Sequence, residues 1–162
     1  KSGKLKQVIN CRKFFSQKNG YEYGYSVHAS DIKVKGNTMT VDFWLMSKTV
    51  GGMSCRYRFA YKNGTLKRTN SQTSTVKVSA AESTGILTAA KSMKVYTAPA
   101  GKKVRYTLKS GKRIKVIGAY VKSGNFSLKV KNLSTGKTGW LKCLKEFPSD
   151  SRPPFREVIY SG

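Results

Sequence analysis

The chain has 162 residues, of which 38% are hydrophobic and 11% aromatic, with 32 Lys and Arg against 7 Asp and Glu for a formal net charge of +25. That apolar content is too high for a solvated basic tail. The longest purely apolar run, Phe43-Trp44-Leu45-Met46, is far short of the roughly 20 residues a membrane-spanning helix needs. A folded, strongly basic protein remains, of one domain or two small ones, and two compact modules are the expectation.

The positive charge belongs to both halves: residues 1–83 carry 15 basic and 4 acidic side chains, and residues 84–162 carry 17 and 3. Between Ser83 and Lys145 there are 15 basic residues and no acidic one, so this stretch cannot neutralise itself with local ion pairs. A polyanionic neighbour is the natural complement, whether nucleic acid, an anionic membrane surface or an anionic wall polymer. The plain alternative is that lysine keeps the protein soluble. The chain starts at Lys1 with no apolar signal core, and the expectation is that an upstream export signal or anchor has been removed.

Along the chain, "KLKQVINCRKFF" (residues 4–15) suits a helix and a strand equally. "YEYGYSV" alternates Tyr21, Tyr23, Tyr25 and Val27 against Glu22, Gly24 and Ser26, the period of a strand with one buried face. "IKVKGNTMTVDFWLM" reads as a hairpin turning at Gly36-Asn37, and "CRYRFAYKNGTLKRT" as another turning at Asn63-Gly64, where both residues tolerate positive φ. This is an antiparallel meander. From Thr73 to Gly85 the aromatics give way to small residues, which places a module boundary near 80–85. Short strands resume with "MKVYTAP", "VRYTLKSGKRIKVIGAYV", "FSLKVKN" and "TGWLKC", at the spacing of a small barrel. "FPSDSRPPFREVIYSG" carries Pro148, Pro153 and Pro154 and reads as a wrapping loop.

Residues 86–145 resemble a bacterial SH3-like (SH3b) domain. The resemblance rests on "MKVYTAPAGKK", "YTLKSGKRIKVIG", "FSLKV" and the closing "TGKTGWL", and covers a little over a third of the chain. It implies an exported bacterial protein whose domain attaches it to the cell wall, with peptidoglycan or an anionic wall polymer as partner. The acidic loop and aromatic pair that read proline-rich ligands in eukaryotic SH3 domains are missing. The expected fold is mostly β: an N-terminal antiparallel module over 1–82, an SH3-like small barrel over 83–147 and a tail over 148–162. Within the turn, Gly136 and Gly139 permit tight geometry, Trp140 is expected to cap one end of the barrel, and Leu141 to point into its core.

Alternation sets the candidate ligand-binding residues. In "KRIKVI", Ile114 and Val116 oppose Arg113 and Lys115, and in "SLKVK", Leu128 and Val130 oppose Lys129 and Lys131. Arg113, Lys115, Lys129 and Lys131, with Tyr96 and Trp140, form the candidate site. Trp140 reads as packing or as a stacking ring. No catalytic set emerges, and a non-enzymatic protein is expected. His28 is the single candidate base, "MSCRY" around Cys55 lacks the glycine of a transpeptidase motif, and the seven carboxylates are scattered, with Asp31 and Asp42 reading as a solvated pair. Three cysteines without C-x-x-C spacing, and one histidine, fall short of a zinc site, so neither metal nor cofactor is expected. Cys11 and Cys55 are candidates for a disulfide, with buried free thiols the alternative. In "RYRFAY", rings and arginines fall on opposite faces, which argues against specific nucleic-acid binding. A non-specific nucleic-acid binder and an accessory module with no ligand of its own are the competing readings.

Overall fold

The structure, a computed structural model, describes residues 32–47, 49–81, 84–122, 125–143 and 153–159. Cys11, the tyrosine strand, His28 and Asp31 lie outside the described residues. The chain is mostly β, and the described strands pair antiparallel. In chain order they are β1 (Ile32–Lys35), β2 (Thr38–Ser47), β3 (Gly51–Lys62), β4 (Thr65–Arg68), β5 (Gln72–Thr73), β6 (Val76–Val78), β7 (Ile86–Thr88), β8 (Met93–Tyr96), β9 (Val104–Leu108), β10 (Arg113–Lys122), β11 (Asn125–Asn132) and β12 (Thr138–Lys142). A 3-10 turn, Ser79–Ala81, follows β6. Among the described residues no helix is long and apolar enough to cross a membrane.

The first sheet runs β1-β2-β3-β4, with β6 also on β3. Its long hairpin pairs Thr38 with Ala60 through to Ser47 with Gly51. Period-two alternation decides what faces in. Val41 and Phe43 on β2 meet Met53, Cys55, Tyr57 and Phe59 on β3, all 1% exposed or less, while Arg58 is exposed. The rings interlock at tilted angles, Phe43 lying 5.9 Å from Tyr57 and 6.1 Å from Phe59. At the next turn Asn63 and Gly64 take φ of 51° and 76°, the left-handed pair that a two-residue hairpin requires.

The second sheet runs β5-β10-β11-β12-β8-β9, with β7 also on β10. Its hydrogen-bonded path is open: among the described residues β9 pairs with β8 alone, and no closed barrel forms. β5 precedes the small-residue stretch yet joins this sheet, pairing Thr73 with Ala119 and Gln72 with Tyr120. Gly118 allows that approach, since a Cβ there would stand 2.8 Å from the Thr73 carbonyl oxygen.

The two sheets share one buried cluster, from Val41 and Phe43 through Leu87, Ile114 and Leu128 to Phe155 and Val158. Arg68 of β4 donates to the Val121 carbonyl at 2.5 Å, and its guanidinium lies 5.0 Å from the Tyr57 ring centre, tying the sheets together. The tail acts as a plug. Phe155 is fully buried and bridges to Ala89, while Ala90 donates to the Pro154 carbonyl and Arg156 to that of Thr88.

Candidate functional site

Gly139, Trp140 and Leu141 lie on β12 with alternating faces. Leu141, opposite Leu128, is buried in the shared core. Gly139 lies on that same inner face, where a Cβ would stand 2.5 Å from Val95 Cγ1 and 3.0 Å from the Tyr96 carbonyl oxygen. Glycine is needed there for close packing, whereas Gly136 supplies the positive φ, 68°, of the preceding turn. The Asn132 side chain braces that turn by accepting from the N–H groups of Ser134 and Thr135. Trp140 therefore points outward. It does not cap a barrel end; it lies between Lys129 and Tyr96, its register partners on β11 and β8.

The same parity places a set of side chains on this outer face. Lys115 stands directly opposite Lys131, and Lys129 follows two residues along β11. The Lys129 ammonium lies 5.9 Å from the Trp140 ring centre, and that of Lys142 lies 4.5 Å from the Tyr96 centre, both within the range at which a ring quadrupole attracts a cation. Tyr120 closes the group edge-on to Trp140 at 6.3 Å. Trp140 is itself only 7% exposed; its ring supports the Lys129 head group more than it offers a free stacking surface. The loop after β8 crosses beside it, with the Ala100 N–H donating to the buried Ser127 hydroxyl at 3.4 Å. Beyond the edge, a groove of about 340 Å³ continues the cationic surface past Lys94, Tyr96 and Lys142.

Of the six residues expected from the sequence, the structure brings Lys115, Lys129, Lys131, Trp140 and Tyr96 onto one face. Arg113 shares their parity but lies at the start of β10 beside Thr88, where it lines a different cleft with Glu157. Tyr120 and Lys142 were not expected there. Lys142 follows from Trp140 by simple alternation. Tyr120 does not, because a bulge between Val116 and Gly118 resets the parity of β10.

No described carboxylate belongs to this face. Asp42 is on the first sheet, held by Arg56 Nη2 and Nε at 2.6 and 2.7 Å; that hydrogen bonding keeps its carboxyl below the usual range against the opposing effect of burial. Glu157 accepts from the Thr88 N–H.

The two described cysteines are buried and held protonated. Cys55 is a free, fully buried thiol, and burial, with Cys143 and Asp42 nearby, pushes its ionisation well up. Burial likewise pushes Cys143 up to about 12, despite hydrogen bonding to Ser47 and Thr49. Among the described residues no group of His, Cys, Asp and Glu could hold a metal ion. Comparison with protein-family models, curated proteins and solved structures gives no match to this chain.

Proposed function

We propose that this is a non-enzymatic, exported bacterial protein that adheres to the cell wall through the lysine face of its second sheet, with an anionic wall polymer as ligand. One observation carries the reading: Lys115, Lys129, Lys131 and Lys142 lie on one outer face, Lys129 over the Trp140 ring and Lys142 over that of Tyr96, with no described carboxylate among them. Ammonium groups held by rings are partly pre-ordered, so less side-chain entropy is lost when a polyanion binds. The SH3-like reading of residues 83–147 is supported by two successive hairpins, β8–β9 and β10–β11, and by a closing strand that returns beside β8 after a Gly-Lys-Thr-Gly turn. Against catalysis stand two thiols held protonated by burial. Against sequence-specific nucleic-acid reading stand the buried rings Tyr57 and Phe59 of "RYRFAY" and the half-buried rings of the second sheet.

The test is a pull-down against purified bacterial wall, with and without its anionic polymer, across a salt series. Binding that needs the polymer and falls steeply with salt is expected, because exposed charges are screened over about 8–10 Å near physiological ionic strength. Undiminished binding to wall stripped of polymer would move the ligand to peptidoglycan. Equal affinity for a single-stranded polynucleotide would leave only non-specific polyanion binding.

A further inference from the structure

A second site lies where the tail meets the start of β10. Thr88 on β7 is the register partner of Arg113, and its N–H donates to both Glu157 carboxylate oxygens, at 2.8 and 3.0 Å. Thr88 thus anchors the Glu157 carboxylate through its N–H and stands beside Arg113 in the β7–β10 pairing. The two have not closed on each other: among the described residues the ion pair is that of Arg56 with Asp42. Between them opens a cleft of about 530 Å³, walled by the charged pair, lined by Thr84 and Thr88, with Ala81 and Ile86 as apolar surface. Its size is in the range of small-molecule sites, roughly 300–1,000 Å³.

The fixing of Glu157 matters. Burial opposes its ionisation, yet hydrogen bonding from Thr88 and from its own N–H, with Arg156 adjacent, holds the carboxyl below its ordinary value. It is therefore charged at neutral pH and already aimed. In a chain of net charge +25 most of the surface repels an ammonium group. Of the two carboxylates among the described residues Asp42 is matched by Arg56, whereas Glu157 lines the cleft, where a ligand ammonium gains a partner. Arg113, exposed and across the cleft, receives a carboxylate in the planar two-toothed manner of a guanidinium.

We infer that this cleft binds a short zwitterionic peptide, its ammonium on Glu157 and its carboxylate on Arg113. The site is independent of the polymer reading, because Lys115, Lys129, Lys131 and Lys142 do not line it.

The test is titration calorimetry of the full chain with alanyl-alanine, its N-acetyl form and its C-terminal amide. Saturable binding of the free dipeptide is expected, weakened about tenfold or more, about 1.4 kcal/mol, by either cap. Glu157→Gln keeps an oxygen for the Thr88 N–H, and it should abolish the penalty of N-acetylation while leaving that of amidation. Arg113→Gln, at an exposed position, should do the reverse. Failure of the free dipeptide to saturate, or equal binding of all three probes by the natural chain, would overturn the inference; both comparisons use the unaltered protein and do not depend on the variants folding. Wall-polymer binding that persists in the presence of saturating dipeptide would confirm that the two sites are separate, and competition between them would overturn that separation.

Discussion

Gly139 and Val95 occupy one volume between neighbouring strands: a Cβ on Gly139 would lie 2.5 Å from Val95 Cγ1. The Tyr96 carbonyl oxygen stands 3.0 Å away on the same side, so the backbone of β8 as well as a side chain would have to shift. Gly139→Ala should therefore cost about 1–3 kcal/mol, the range for overpacking a filled core. Val95→Ala should recover part of that loss in the double variant, because it frees the closer contact while the carbonyl clash remains. A double-mutant cycle by denaturant melts measures the coupling; strict additivity would show that the two residues do not compete for space.

The described tail segment packs Phe155 and Val158 into the core. Phe155 is fully buried, and Val158, 2% exposed, sits 3.9 Å from the Cβ position of Gly51 at the start of β3. Phe155→Ala should destabilise by about 3–5 kcal/mol. Loss of the tail's grip should also free Thr88, whose N–H and carbonyl are both engaged by it, so hydrogen exchange at Thr88 and Ala90 should accelerate first. Unchanged protection at both amides would mean that β7 is held by β10 alone.

The thiols predict an alkaline limb. Cys143 is pushed by burial from an ordinary value near 9 up to about 12, and Cys55 moves the same way. The folded state then holds these protons after the unfolded state has released them. Their stability contribution is complete below about pH 9 and is lost as pH rises toward 12. Cys143→Ala should flatten the fall of stability across that window relative to the natural chain. Both thiols should also resist alkylation in the native protein and label fully in denaturant; rapid native labelling of Cys143 would contradict its burial.

Where a side chain's face followed from alternation alone, the sequence was a reliable guide. Tyr57 and Phe59 inside against Arg58 outside, and Leu128 and Val130 inside against Lys129 and Lys131, are set by the two-residue period of a strand. The paired positive φ at Asn63 and Gly64 is equally local. Long-range placements were not legible. The spacing of "TGW" fits either face of β12, and only the packing of Gly139 against Val95 turns Trp140 outward. The bulge before Gly118 changes parity without any sequence signal beyond the glycine itself. Gln72-Thr73 carries too little pattern to reveal that it joins β10. Nor does "PPFRE" announce that its ring is core and its carboxylate is held by a strand far away in sequence.

Lys115 and Lys131 stand directly opposite each other with both side chains exposed, an arrangement that folding alone does not favour. Like charges facing across an antiparallel pair are destabilising by an amount of the order of other cross-strand terms, about 0.2–1 kcal/mol. Lys115→Gln should therefore raise stability by a few tenths of a kcal/mol, and Lys115→Glu by somewhat more, since it converts repulsion to attraction. If the pair exists to hold a polyanion, both changes should at the same time weaken polymer binding and reduce its salt dependence, since one fewer cation is neutralised on association. Lys62→Gln, at an exposed position on the first sheet, is the control and should leave binding nearly unchanged. Opposite signs in melt and binding for the Lys115 variants, with neither moving in the control, are the expected outcome. A rise in stability with no loss of binding would show that the opposed lysines carry no ligand and that the anionic polymer is held elsewhere on the chain.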